Sequence, residues 1–245
     1  MTYYPSFLSK KTHHHNHHNQ HHHQQRTNTM QHNGEEEQSH EQITMKPLPY
    51  IANAFEDLSK FLQGKHIEED LRLGPFTDAC SLVSVLFNCL GIAFKFAEME
   101  YVAKVRGLVE ASTTYETLHN ILDHDVENDT VRKPGSLSRN LRRVRQGLDL
   151  IRALFEQFLS ADECSLREAA SSAYAQVCAP YHTWSVRTAV FAGMYALPSR
   201  DQLLVRLNET DHSVEKEMRR YINASLPVIE YIDELYRSRN ISLDW

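Results

Sequence analysis

Apolar residues recur at helical spacing through most of this chain. In "IANAFEDLSKFL" (51–62), Ile51, Phe55, Leu58 and Leu62 fall on one face, and Gly64 follows as a stop. The stretch 77–112, from "TDACSLVS" to "GLVEAS", predicts one long, mostly buried helix with Thr77 as its cap. "TYETLHNILDHDVEN" (114–128) predicts a shorter amphipathic helix, closed by the "RKPGS" loop. A fourth helix is expected from about Ser136 to Ala161, and a fifth over 165–179, ended by Pro180 because proline lacks the backbone donor. Segments 183–197, 200–209 and 213–238 complete the set. No two alternating runs are joined by Asn-Gly or Asp-Gly, the signal of a hairpin. About eight helices with short links predict an all-α packed domain.

Composition divides the chain in two. Residues 1–46 are rich in His, Gln and Asn, hold ten of the fifteen histidines, and offer too little apolar surface to offset ordering entropy. They are expected to be a disordered tail, with at most weak metal binding of no fixed geometry. Residues 47–245 have the composition of one folded domain. Cys80, Cys89, Cys164 and Cys178 show neither CxxC spacing nor a disulfide framework, which suits a reducing compartment. The opening residues lack the apolar core of a signal peptide, so a cytosolic protein is expected. The longest apolar stretch, 80–94, is interrupted by serines and an asparagine and reads as a buried helix, not a membrane span.

"SRNLRRVRQGLDLIRALF" (138–155) is the segment that asks for chemistry. At about 100° per residue, Leu141, Val144, Leu148, Ile151 and Phe155 form a core stripe. Arg145, Asp149, Arg152 and Glu156 form a polar stripe with Arg142 at its edge, which a solvated face explains. Arg139 and Arg143 belong to neither. They align with Gly147, Leu150, Leu154 and Phe158, so two guanidinium groups head an apolar stripe, spaced to grip one phosphate. On the long helix, Leu82, Leu86, Cys89, Ala93, Phe96 and Ala97 share a face that ends in Glu100, Lys104 and Gly107. Two apolar stripes each ending in a charged i, i+4 pair point to an amphiphile with a polar head, provided that the stripes face each other. In "APYHTW" (179–184), Pro180 breaks the helix and can aim His182 inward, while Trp184 is expected to pack in the core.

Together "GPFTDACSLVSVLFNCLGIAFKFAEMEYVAKV", "RKPGSLSRNLRRVRQGLDLIRALFEQ", "AYAQVCAPYHTW" and "GMYALPSRDQLL" resemble the glycolipid transfer protein superfamily over nearly all of 48–245. The nearest likeness is to its plant accelerated-cell-death branch, whose members transfer ceramide-1-phosphate and phytoceramide-1-phosphate between membranes. The resemblance implies a two-layer helical sandwich enclosing the hydrocarbon chains, with a surface centre for the head group. It implies that Glu100 accepts from the sphingoid amide, that Lys104, Arg139 and Arg143 hold the phosphate, and that His182 donates to the amide carbonyl. Relatives that bind sugar-headed lipids carry tryptophan at position 143; an arginine there suits a phosphate instead. The family's usual aspartate is replaced by Glu100, which is one methylene longer.

The expected partners are therefore a phosphate-headed sphingolipid and, transiently, a membrane surface, with no cofactor or metal and with a link to cell-death control implied by the branch. The alternative is a helical lipid sensor or adaptor acting through protein partners without net transfer. Nucleic acid is not expected, since the net charge is -6 despite the arginines. An enzyme is not expected either, because no nucleophile–base spacing stands out. "DHDVENDTVRKP" (123–134) lacks the glycine and terminal glutamate of a calcium loop.

Overall fold

A computed structural model of the protein describes residues 46–64, 70–160 and 165–245. The tail expected at 1–46 lies, but for Lys46, outside the described residues, as does Cys164. Among the described residues the helices are α1 (Pro47–Gln63), α2 (Leu73–Leu90), α3 (Lys95–Ala111), α4 (Leu118–Glu127), α5 (Leu137–Ser160), α6 (Leu166–Val177), α7 (Trp184–Gly193), α8 (Arg200–Leu207) and α9 (Asp211–Arg237). Short 3-10 turns at Ile92–Phe94, Ala179–Tyr181 and Met194–Ala196 join or end them. Among the described residues the one strand-like feature is an isolated bridge between Arg72 and Thr117.

The class is the all-α two-layer sandwich. Helix α5 packs against α3, α6 and α9, while α9 also runs along α1, and α2 lies against α1 and α3. Its assigned core stripe is buried throughout, and so are Leu150, Leu154 and Phe158 of the neighbouring stripe. Tyr221 of α9 sits at the centre, edge-on to Phe55 at 5.1 Å and to Phe155 at 5.6 Å, with its hydroxyl donating to Leu148 O. Local chemistry sets the ends: Ser165 with Glu168 and Ser199 with Gln202 form capping boxes, reciprocally satisfying the first free N–H groups of α6 and α8.

Two expectations are corrected. The predicted helix over 77–112 is two helices, because Gly91 adopts φ +81 and the 3-10 turn that follows re-aims the chain before α3. Thr77 caps nothing: α2 starts four residues earlier, and the Thr77 hydroxyl donates to Gly74 O inside it. At 18 residues, α2 is long and apolar enough to cross a membrane, but half of it is buried inside the fold as a core helix.

The polar stripe of α5 is not a solvated face. Arg145 pairs with Asp149 at 2.7 Å and with Asp233 of α9 at 2.5 Å, and Arg152 continues the ladder to Asp149 at 2.8 Å. These carboxylates and burial act on Arg145 in opposite senses, and the net effect holds its guanidinium above the usual arginine range. Arg142 is only 3% exposed; it donates to Leu243 O and lies under the Tyr181 ring at 5.5 Å. A helical wheel shows that these residues share a side, but not that α9 and the C-terminal segment cover it.

Candidate functional site

The split between α2 and α3 also divides the apolar stripe read from the sequence. Leu86 and Cys89 border a small apolar cavity of about 10 Å³ with Leu154, Phe155, Phe158 and Leu207. That is about the space one water requires. Phe96, on α3, is 82% exposed. Yet the second half of the stripe behaves as expected: Phe96, Ala97, Glu100 and Lys104 line an open cavity of about 350 Å³, facing Arg143, Gly147 and Leu150 of α5. The two stripes do meet.

Two glycines permit the approach. A β-carbon on Gly147 would lie 2.6 Å from the Tyr101 ring, and one on Gly107 would lie 2.7 Å from Asn140 Nδ2. Tyr101 is buried beneath the cavity and fixed by its hydroxyl on Cys80 O at 3.0 Å.

On the α3 wall, Lys104 Nζ stands 3.6 Å from Glu100 Oε2, with the lysine side chain 29% exposed and the glutamate 79%. Such a pair contributes little to stability in water. On the α5 wall, Arg143 is half-buried, and its Nη1 donates to Gln146 Oε1 at 2.9 Å. Burial, together with the like charges of Arg139 and Arg142, holds its guanidinium below the usual arginine range.

The third wall comes from the broken helix. After α6 the chain makes its 3-10 turn at Pro180, and His182 enters the cavity lining together with Cys178. The Tyr174 hydroxyl lies 2.9 Å from His182 Nδ1, and Arg187 Nε donates to His182 O. In the neutral tautomer that accepts from Tyr174 at Nδ1, His182 carries its proton on Nε2 and so has an N–H to donate. Burial, reinforced by Arg143 and Arg187, holds the imidazole below the ordinary histidine value and favours that neutral form. Burial pushes the Cys178 thiol up to about 12, so it lines the cavity as a small neutral group and not as a thiolate.

Of the five residues expected at the site, Glu100, Lys104, Arg143 and His182 share the cavity. Arg139 lies one turn away on α5 and is held elsewhere: its Nη1 donates to Arg132 O at 2.7 Å. Sequence reasoning missed Gln146, although its i+3 spacing from Arg143 was a usable signal. It also missed Tyr174, which no spacing could have revealed, because the turn at Pro180 creates the contact.

Ile92, Phe96, Trp184 and Tyr195 are all strongly exposed, Phe96 lines the cavity, and the turn at Ile92–Phe94 packs against α7 and the turn at Met194–Ala196. Trp184, expected in the core, is 79% exposed because Thr183 caps α7 and leaves it as the first residue of a helix with no buried side chain.

Fold and site define a class: an all-helical protein with a cationic cavity set above an apolar interior. The family model for Glycolipid transfer protein (GLTP) matches residues 71–209, and the chain belongs to that family. It is 69% identical over 203 residues to the "ACD11 homolog protein" of Arabidopsis thaliana, covering 81% of this chain and 89% of that one. It is 48% identical over 201 residues to "Accelerated cell death 11" of the same plant, covering 82% and 97%. Its fold matches, with a TM-score of 0.79 and 47% identity, the crystal structure of an aspartate-to-asparagine variant of Arabidopsis ACD11 complexed with C12 ceramide-1-phosphate, covering 82% of this chain and 100% of that one.

Proposed function

We propose that the protein transfers a phosphate-headed sphingolipid, ceramide-1-phosphate or its phytoceramide counterpart, between membranes, as a non-enzymatic cytosolic carrier linked to control of cell death. The observation that carries this reading is the placement of Arg143 and Lys104 on opposite walls of one cavity, with His182 completing it.

The chemistry is non-covalent. A two-chain sphingolipid of roughly 25 methylenes costs on the order of 20 kcal/mol to expose to water. The leucine- and phenylalanine-lined interior lowers that barrier once its side chains part, since its resting cavity is only about 10 Å³. A bilayer offers the same apolar contact, so the chains confer almost no selectivity. Selectivity falls to the head group. Arg143 and Lys104 donate charge-assisted bonds to the phosphate, and Arg139 joins them by leaving the Arg132 carbonyl. Glu100 accepts from the amide N–H, and its extra methylene extends it toward solvent, where its side chain is mostly exposed. His182 donates to the amide carbonyl. The exposed ring of Phe96 and the indole of Trp184 enter the bilayer interface, where an apolar body with one wet edge is at home.

The test is transfer of fluorescent lipids between vesicles, ceramide-1-phosphate against a neutral glycosylceramide, for wild type and Arg143→Trp. Transfer of the phosphate lipid alone, abolished in the variant, is the expected result. A folded wild type that moves neither lipid would sink the transfer reading and favour a sensor or adaptor.

A further inference from the structure

Gln146 is buried at 6% exposure, and its amide is used at both ends. Nε2 donates to Val177 O at 3.1 Å, and Oε1 accepts from Arg143 Nη1 at 2.9 Å. The orientation is not free. A carbonyl can only accept and a guanidinium can only donate, so the amide has a single arrangement that satisfies both partners. Gln146 also stands between two cavities: the one containing Arg143, and a polar one of about 320 Å³ on the other side of α5 that Arg142 and Tyr181 help to line.

We propose that Gln146 is a positioning residue that confers phosphate selectivity on Arg143; this rests on the head-group reading above. Two features of the geometry point to it. First, Val177 ends α6, immediately before the turn that carries His182, so the amide sets the phosphate-binding guanidinium relative to the amide-binding imidazole. Second, the bracket is neutral. A carboxylate at this position would still accept from Arg143, but it would lose the tie to Val177 O and cancel the charge that the phosphate needs. Glutamine aims the guanidinium and leaves it unneutralised. Of the carboxylates acting on Arg143, Glu100 comes from the facing helix and is largely in solvent.

The experiment is a double-mutant cycle on vesicle-to-vesicle transfer of ceramide-1-phosphate, using wild type, Gln146→Met, Arg143→Gln and the double variant, with Gln146→Glu added in both Arg143 backgrounds. Gln146→Met keeps the volume and removes both hydrogen bonds; about a tenfold loss of transfer is expected, the scale of one charge-assisted bond. In the Arg143→Gln background the same change should cost almost nothing further, because its effect runs through Arg143. Gln146→Glu still accepts from Arg143 but sets a carboxylate oxygen against Val177 O, so it should melt somewhat lower than wild type; at matched folded fraction it should transfer about tenfold more slowly with Arg143 present and lose little further in the Arg143→Gln background, a dependence that a purely structural amide would not produce. Equal losses from Gln146→Met in both backgrounds overturn the proposal, as does full activity in Gln146→Glu. If Gln146→Met does not fold, Gln146→Glu decides by its transfer rate at matched folded fraction in the two Arg143 backgrounds. A wild type inert toward ceramide-1-phosphate overturns the head-group reading itself, whereas an active wild type with additive losses overturns only the role of Gln146.

Discussion

Gly147 of α5 lies against Tyr101 of α3 so closely that a β-carbon would come within 2.6 Å of the ring. This contact brings the Glu100–Lys104 wall up to the Arg143 wall. Because Tyr101 is itself tied to Cys80 O, the ring cannot simply swing away. Gly147→Ala is expected to destabilise the fold by about 1–3 kcal/mol, the usual cost of overpacking, with a matching fall in melting temperature by calorimetry. Retained wild-type stability would show that the helices can separate freely.

Removing Arg143 deletes a charge-assisted donor from a partly dry cavity. Such bonds contribute about 1.5–3 kcal/mol, so Arg143→Gln should weaken ceramide-1-phosphate binding by roughly one to two orders of magnitude. Arg145→Gln, whose guanidinium is committed to Asp149 and Asp233, should leave affinity for the lipid nearly unchanged while lowering stability. Equilibrium binding and thermal melts on both variants separate the two roles.

Asp233 is where the α5–α9 contact is most exposed to loss. Asp233→Ala strands Arg145, whose side chain is largely buried, with Asp149 as its remaining partner there. The expected loss is on the order of 3 kcal/mol, at the low end for a buried pair broken on one side. Urea denaturation checks it; a loss under about 0.5 kcal/mol would put the pair in the class of surface bridges.

His182 should titrate below the ordinary histidine value. Because folding lowers its affinity for the proton, its contribution to stability is complete above about pH 6.5 and is lost as pH falls through the lower folded-state value. Wild type should therefore lose more melting temperature between pH 7 and pH 5 than His182→Gln. NMR of the imidazole gives the midpoint directly, and a midpoint above 6.5 would contradict the environment described.

Trp184→Ala should change stability by less than about 0.5 kcal/mol, as exposed positions do, yet slow transfer and weaken vesicle binding. A large fall in melting temperature would mean that the indole packs inward after all.

The apolar face of helix α5 was readable residue by residue, because twenty-four residues without a break keep a wheel in register. The same wheel failed over 77–112, where the only sign of a break is Gly91 inside an apolar run, and nothing local announces its positive φ. Arg142 and Arg145 were misread for a different reason: their partners, Leu243 and Asp233, lie about 90–100 residues away in sequence. Trp184 sits beside a residue that turns inward, yet Thr183 starts a new helix between them. Side-chain direction across a cap is not a periodic quantity, so no pattern could carry it.

Phe96 is both a wall of the cavity and a protruding surface. When its ring lies among acyl chains, hydrocarbon replaces water along the outer side of the Glu100–Lys104 pair. Moving from an effective dielectric constant of about 80 to about 20 multiplies a charge–charge attraction about fourfold. Lys104, which barely senses Glu100 in solution, then attracts that carboxylate, and an incoming phosphate, more firmly. The aromatic rim thus acts as insulation, drawn around the charges only where a lipid can be exchanged.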